Sequence, residues 1–376
     1  MIKVGVTGQS GFVGTHLYNT LAFQEGFERV EFHKDYFENE KELDAFVSSC
    51  DVIVHLAAMN RHNDPEVLYK TNVSLVQNLI ASFKRTNSTP HVLFSSSTQE
   101  ERDNLYGKSK KEGRELLEAW AKTEGGKFTG IIIPNVYGPF GHPYYNSVVA
   151  TFCHQMTHGE QPKIEVDGEI KLVFVTELVG DILRKIEDAS NTGNGSIEKF
   201  AVPHRHVIKV SDLLSLITRY KEQYMDQGKI PVIANRFELN LFNTFRCYMP
   251  IKDHFPINYV KHTDPRGAFV ELARLEIGGQ VSYSTTVPGI TRGNHFHTRK
   301  IERFSVIKGK ALIEMRRIGT DEVFSFELDG ETPGYVDMPI WHTHNIKNVG
   351  ENELITVFWI NEAYDPNDPD TYFETV

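Results

Sequence analysis

Cysteine is scarce in this chain: Cys50, Cys153 and Cys247 are the only three among 376 residues, far apart and odd in number. A disulfide framework is therefore not expected to hold the fold together. Long apolar runs are absent too. No stretch approaches the ~18 residues that a membrane-crossing helix requires, so no membrane span is expected. The N-terminus, MIKVGVTGQSGFVG, passes from a short strand into glycines, unlike a charged leader followed by an apolar segment. There is no basic block: 40 Lys and Arg stand against 50 Asp and Glu, a net charge of −10, which gives no reason to expect a nucleic-acid partner. What is present can fill a core. Hydrophobic residues make up 40%, aromatics 11% and charged residues 24%, which excludes a disordered, collagen-like or coiled-coil chain. At roughly 150 residues per domain, two or three domains are expected. The default is a cytoplasmic, soluble, multidomain protein.

The chain reads in two styles. Over residues 1–245, β-rich runs alternate with helical ones: KVGVTG then VGTHLYNTLAF, DVIVHLAA then VSLVQNLIASFKRT, HVLFSSS then KKEGRELLEAWAKTEG, and GIIIPNVYG. Strand–helix alternation predicts a Rossmann-like, doubly wound α/β parallel sheet covered on both faces. Over residues 256–376 the pattern is GAFVELARLEI, QVSYSTTV, ERFSVIKG, KALIEMRRI, EVFSFEL and ELITVFWI. These runs are separated by the turn signals PGITRGN, IGTDE, LDGETPG and NVGEN, which predicts an all-β sandwich or barrel. Residues 246–255, between Arg246 and Phe255, are read as the linker.

Gly8, Gly11 and Gly14, with Phe12 and Val13 between them, form G-x-x-G-x-x-G directly after the first strand and before a helix. Backbone N–H groups and a helix N-terminus at such a junction can hold a pyrophosphate. The residue that tells the two nicotinamide dinucleotides apart sits at the end of the second strand. With Val30-Glu31-Phe32 as that strand, His33 and Lys34 occupy the place. A cation there suits a 2′-phosphate, so NADP(H) is expected, while Asp35 one residue on would favour NAD if the register slipped.

Tyr106 and Lys110, in Y-G-K-S-K, lie one helical turn apart on one face. An ammonium near a phenol lowers its pKa and suits it to exchange a proton with a carbonyl oxygen while a nicotinamide handles hydride. Ser95-Ser96-Ser97 ends a strand, where a hydroxyl can bond the same oxygen. In order along the chain come G-x-x-G-x-x-G, D-V-I-V-H-L-A-A, T-N-V, S-S-S, Y-G-K-S-K and P-N-V-Y-G-P. This succession resembles the extended short-chain dehydrogenase/reductase family, whose members mostly act on nucleotide sugars. The resemblance implies Tyr106 as catalytic acid, Lys110 as its activator and Ser97 as the third member. It further implies that Leu56, Ala57, Ala58, Asn72, Lys110, Pro134 and Asn135 line the cofactor. The family's Tyr-Gly pair after the serines is replaced by Thr98-Gln99-Glu100.

In the β-rich part, His295 and His297 are two residues apart, so on a strand both rings face one side. Glu302 can follow across a turn, and His344 lies in P-I-W-H-T-H-N on another strand. Three imidazoles and a carboxylate suit Zn²⁺ or another divalent ion. The two segments resemble the metal motifs of the cupin superfamily, with Trp341 where the second motif usually has glycine. T-R-G-N-H also resembles the R-G-x-H of cupin sugar epimerases, where that histidine is a base; His295 is assigned to the metal and the base is left unnamed.

Taken whole, with the segment P-Y-Y-N-S-V-V-A-T-F-C and the tail N-E-A-Y-D-P-N-D-P-D-T-Y-F-E, the chain resembles the bifunctional capsular-polysaccharide enzymes of the CapF type. That resemblance implies a UDP-linked 2-acetamido-2,6-dideoxy-4-hexulose, a 4-keto-6-deoxy amino sugar, as substrate. The cupin would invert C3, the reductase would reduce C4 with NADPH to give UDP-2-acetamido-2,6-dideoxy-L-talose, and the enzyme would be a homodimer. Whether the metal is catalytic or structural stays open. So do an NAD-retaining epimerase with a regulatory β domain and a non-catalytic nucleotide sensor.

Overall fold

The computed structural model describes residues 1–190, 195–265, 267–275 and 277–376. Strands and helices alternate through the first part: β1 (Ile2–Thr7), α1 (Phe12–Leu21), β2 (Phe27–Val30), α2 (Glu40–Ser48), β3 (Val52–His55), α3 (Pro65–Thr86), β4 (His91–Ser97) and α4 (Leu105–Glu124). Then follow β5 (Lys127–Ile133), β6 (Asn135–Tyr137), α5 (Val148–Thr157), β7 (Glu169–Phe174), α6 (Val175–Ser190), β8 (Ile197–Ala201) and β9 (His206–Lys209). Six strands form one parallel sheet in the order β2-β1-β3-β4-β5-β8. Its strands are apolar on both faces. Val4, Val6, Val52 and Val54 pack with Leu17 and Leu21 of α1 and with α6, while Ile53, Val92, Phe94 and Phe128 pack with α2, α3 and α4. From β1 the chain moves to β2 on one side and then to β3 on the other. The resulting switch point opens a crevice at the carboxyl ends of β1 and β3, where dinucleotides bind in such sheets.

The rest is helical, then antiparallel: α7 (Val210–Tyr220), β10 (Lys229–Ile230), α8 (Arg236–Arg246) and α9 (Ile251–His254) precede β11 (Ile257–Asn258), β12 (Lys261–Asp264), β13 (Gly267–Val270) and β14 (Arg274–Leu275). The long strands are β15 (Gln280–Thr286), β16 (Thr291–Phe296), β17 (Glu302–Lys308), β18 (Lys310–Arg317), β19 (Val323–Asp329), β20 (Gly334–Met338), β21 (His342–Asn348) and β22 (Leu354–Ile360), with the short β23 (Tyr372–Phe373) last. They make two five-stranded sheets, β11-β20-β17-β22-β15 and β19-β18-β21-β16-β23. Phe304, Val306 and Val336 from one sheet meet Ile313, Met315 and Phe326 from the other in a shared core. This is the all-β sandwich expected from the alternation. GAFVELARLEI is broken into β13 and β14 rather than one strand, and its Glu276 lies outside the described residues. TRGN, read as a turn signal, is the start of β16, because Thr291 to Gly293 pair with β21 and the glycine makes a bulge there.

The chain divides into two compact units: Met1–Tyr137, Gly141–Val148 and Gly168–Lys209 form the first, and Gly138–Phe140, Val149–Asp167 and Val210–Val376 form the second. This differs from the partition into 1–245, 246–255 and 256–376. The helical segment after β9 packs on the β-sandwich through buried polar bonds. Arg246 is 1% exposed and donates to the Met338 carbonyl at 2.8 Å. Tyr224 donates to Asp337, which also holds Arg303 at 2.7 and 2.9 Å. The stretch read as a linker carries no charge run or glycine cluster, and it is largely buried: Tyr248, Met249, Ile251 and Phe255 join the core.

Candidate functional site

The glycine loop is shaped by close approach. Gly8 has φ +76°, and a Cβ there would lie 2.8 Å from the Ala57 backbone nitrogen. A Cβ on Gly14 would lie 2.0 Å from the Gly8 carbonyl oxygen. Neither position can carry a side chain without moving backbone. Gly11 begins α1 with no side-chain cap, leaving first-turn N–H groups facing the crevice for an anion. Gln9 ties the loop to the end of β2 by accepting from the Phe32 N–H at 3.1 Å.

A cavity of about 660 Å³ opens above this loop, walled by Gly8, Gly11, Phe12, Val13, Gly14, Leu56, Ala57, Ala58, Pro134 and Asn135. Ser97, Tyr106 and Lys110 line the same cavity. The sequence-predicted phenol, ammonium and hydroxyl therefore share one space with the cradle. Asn72 does not line it. Its side chain accepts from the Met59 N–H at 2.7 Å and donates to the Met59 carbonyl at 3.0 Å and to Ser109 at 3.1 Å, so it shapes the loop after β3. His33 and Lys34 are exposed beyond β2, outside the cavity lining, and His33 faces Glu31 at 3.3 Å.

The electrostatics differ from the simple Tyr–Lys expectation. Burial pushes the Tyr106 phenol up to about 12, with Tyr145 adding to the rise. Lys110 is buried and pushed down to about 8 by desolvation, with its Nζ donating to the Ser95 carbonyl at 2.9 Å. Nζ sits 5.9 Å from the Tyr106 ring centre, too far to outweigh desolvation of the phenol. At neutral pH Tyr106 thus holds its proton, the form that a carbonyl reduction consumes. Asn104 caps α4 by accepting from the Gly107 N–H at 2.7 Å, which sets the first turn that carries Tyr106.

The Thr98-Gln99-Glu100 departure forms a short helical turn capped by Ser97, whose Oγ accepts from the Gln99 N–H at 3.2 Å. Glu100 turns inward to Ser96 and to Arg114, at 2.9 Å, so it belongs to the support of the wall rather than to the cavity. Arg102, His142, Tyr145 and Asn146 also line the cavity. Sequence reasoning missed them as site residues. Tyr145 and Asn146 lie in the P-Y-Y-N segment, but nothing in their spacing marks them as wall.

In the second unit, one ligand atom each of His295, His297, Glu302 and His344 lies within 4.8 Å of the others. Glu302 Oε2 is 3.0 Å from His297 Nε2, 3.1 Å from His344 Nε2 and 4.0 Å from His295 Nε2. His297 Nδ1 meets the Asp370 carbonyl at 2.6 Å and His344 Nδ1 the His342 carbonyl at 3.1 Å. With Nδ1 of both rings set against a carbonyl, Nε2 is the nitrogen that faces Glu302 and would face a metal bound there, the arrangement that fixes ligand tautomers. Burial, then His344 and His297, hold His295 down to about 4, so it is neutral at pH 7. Burial disfavours ionised Glu302, but bonds from His297 and His344 outweigh it and hold the carboxyl well below its usual range. Three imidazoles around an ionised carboxylate fit a borderline divalent ion. Gly293 at φ +97° and Asn294 at φ +60° form the bulge just before His295. Trp341, in place of the usual glycine, takes φ +60° and stacks on Phe296 at 5.5 Å.

A crevice that places a tyrosine and a lysine beside a glycine cradle, on a doubly wound sheet, has the form of a nicotinamide-dependent oxidoreductase. Residues 4–196 match the NAD dependent epimerase/dehydratase family, and residues 262–372 match the polysaccharide biosynthesis C-terminal domain. Along 99% of its length the chain is 34% identical to the UDP-2-acetamido-2,6-beta-L-arabino-hexul-4-ose reductase of Pseudomonas aeruginosa, spanning 98% of that protein. The crystal structure of the capsular polysaccharide assembling protein CapF from Staphylococcus aureus is matched over 100% of both chains, with TM-score 0.62 and 34% identity. The spore coat polysaccharide biosynthesis protein SpsL of Bacillus subtilis is 30% identical over 121 residues, 30% of this chain and 80% of that protein. The chain belongs to the CapF-type branch of the epimerase/dehydratase family and is a nucleotide-sugar oxidoreductase of polysaccharide biosynthesis. None of its described helices is long and apolar enough to cross a membrane.

Proposed function

We propose that the enzyme takes a UDP-linked 2-acetamido-2,6-dideoxy-4-hexulose, inverts C3 in its cupin unit and reduces C4 with NADPH in its first unit. The product would be UDP-2-acetamido-2,6-dideoxy-L-talose. The observation that carries this reading is the placing of Ser97, Tyr106 and Lys110 in the same cavity as the glycine cradle. The order of steps follows from chemistry. A ring C–H is acidic only beside a carbonyl, so the 4-keto group must persist until C3 is inverted. NADPH, when bound, supplies the hydride for C4. Tyr106 donates its proton to the developing C4 alkoxide, Ser97 bonds the same oxygen, and Lys110 braces the Ser95 end of β4. In the second unit His295, His297, Glu302 and His344 would hold Zn²⁺ or a similar ion, which supplies Lewis-acid polarisation of a carbonyl oxygen when bound. The proposal includes a homodimer acting in the cytoplasm and rests for both on resemblance to the CapF type.

Incubating the protein with NADPH and the UDP-4-keto sugar in D₂O is the direct test. Deuterium at C3 together with stoichiometric NADPH oxidation is the expected outcome. Turnover without net NADPH oxidation would mean an NAD-retaining epimerase, and no reaction with intact binding would mean a nucleotide sensor.

Cofactor choice gives a second expected result. Lys34 follows β2, whose end is tethered to the glycine loop through Gln9, and it is proposed to meet the 2′-phosphate. Because Lys34 is exposed, the contact is screened. Lys34→Ala should weaken NADPH binding about 10-fold, near the low end for a bond to a charged group, and leave NADH binding almost unchanged. Fluorescence titration of both cofactors checks this. A wild-type preference for NADH would assign the site to Asp35 instead.

A further inference from the structure

Between the metal-ligating ends of β16 and β17 runs a loop, Thr298 to Ile301, whose backbone donors are all claimed by the C-terminal tail. Asp370 accepts from the N–H groups of Thr298, Arg299 and Lys300, each at 3.0 Å, and from the Thr298 hydroxyl at 2.6 Å. Asn361 accepts from the Ile301 N–H at 2.8 Å. The Asp370 carbonyl takes the Nδ1 contact of His297 at 2.6 Å. Further along the tail, β23 pairs with β16 so that Phe373 lies opposite His295. Arg299 is held by Glu362 at 3.0 Å and Asp368 at 2.9 Å, and Lys300 donates to the Pro369 carbonyl at 2.6 Å. One carboxylate, only 3% exposed, thus sets the path of the loop that joins His297 to Glu302. Asp370 keeps this place at φ +40°, a conformation unfavourable for a non-glycine residue and maintained by the bonds around it.

We infer that Asp370 is a positioning residue for the metal centre, and that the tail 361–374 is the clasp that keeps His295, His297 and Glu302 in ligating register. The inference rests on the metal reading of that cluster. It acts through two routes. The Asp370 carboxylate organises the loop, and the backbone carbonyl behind it selects the His297 tautomer whose Nε2 faces the ion. Neither route adds a ligand, so the coordination number stays as the four side chains set it. Four charge-assisted or backbone bonds to one buried carboxylate make the loop a single rigid unit rather than a free hairpin. Loss of the carboxylate leaves three backbone N–H groups without partners, and the loop must relax to find water.

The test uses the full-length enzyme, Zn²⁺ titration against a competing chelator, and the visible absorption of the Co²⁺-substituted protein. Asp370→Ala is expected to weaken Zn²⁺ binding about 10- to 100-fold, the range for loss of a ligand's supporting partner. At saturating Co²⁺ its d–d bands should shift or lose intensity, because the ligand geometry itself changes. Asp370→Asn keeps one acceptor oxygen and should fall between wild type and Asp370→Ala. If Asp370→Ala does not fold, Thr298→Val, which removes a single bond to the same carboxylate, should still weaken binding measurably with altered Co²⁺ bands. Wild-type affinity and an unchanged Co²⁺ spectrum in Asp370→Ala, with wild type binding one ion and His297→Ala binding none, would overturn the clasp alone. A wild-type protein that binds neither Zn²⁺ nor Co²⁺ would overturn the metal reading, and the clasp with it.

Discussion

Tyr106→Phe is expected to slow NADPH oxidation about 10²- to 10⁴-fold while exchange of the C3 proton with D₂O continues at the wild-type rate. The substitution removes one oxygen and keeps the ring, so the half-buried wall of the cavity is preserved. In the wild type the phenol is pushed up to about 12 by burial and by Tyr145, which keeps it protonated and ready to donate. Lys110, pushed down to about 8 by desolvation, grips the Ser95 carbonyl instead of pairing closely with the phenol. The oxygen of Tyr106 is therefore the group proposed to deliver the proton to C4, and its loss leaves the alkoxide without an acid. Proton removal at C3 is assigned to the other unit and needs no contribution from Tyr106. Following NADPH absorbance and deuterium incorporation in the same reaction separates the two. If exchange stops together with oxidation, the proposed division of labour fails.

His297→Ala is expected to reduce bound metal from one ion per chain to almost none at micromolar concentration, and to lower the melting temperature of the second unit by roughly 5 °C or more. Two losses combine. The ion loses one of four ligands, and Glu302, which is buried, loses its partner at 3.0 Å and keeps His344 at 3.1 Å and the more distant His295 at 4.0 Å. Leaving part of a buried carboxylate unsatisfied costs about 1–3 kcal/mol even without metal. Elemental analysis after chelator-free purification and melting curves with and without EDTA measure both effects. Wild type free of metal under those conditions would end the assignment. A folded, metal-free variant that still exchanges the C3 proton normally would make the ion a structural crosslink only.

Much of the site was legible because its signals are local. A glycine triplet between a strand and a helix needs no distant partner to be recognised, and Gly8 and Gly14 prove to be positions where a side chain would strike backbone. Tyr106 and Lys110 share a helix face by spacing alone, and His295 and His297 share a strand face in the same way. The proximity of Tyr106 and Lys110 to Ser97 and to the glycines follows once the parallel sheet forms, since β1 and β4 both deliver their carboxyl ends to one edge. The cavity wall beyond them was not legible. Arg102, His142 and Tyr145 come from irregular segments whose positions depend on what they pack against. The same holds for Asn72, which the family pattern placed beside the cofactor but whose amide is spent on Met59 and Ser109.

The sequence by itself determined the alternation of strand and helix, the change to short antiparallel strands and the identity of the chemical groups, because periodicity and residue type act within a few positions along the chain. Tertiary structure decided where the units divide. Arg246, Tyr224 and Asp337 bond across more than ninety residues of sequence, and no local pattern announces that helices before residue 256 will pack on the β-sandwich. It also decided the proton affinities of Tyr106 and Lys110, since desolvation is a property of everything that surrounds a group and not of its neighbour one turn away. The grip of Asp370 on the loop seventy residues earlier has the same origin: its acceptors meet those N–H groups in the folded tail, where β23 also pairs with β16.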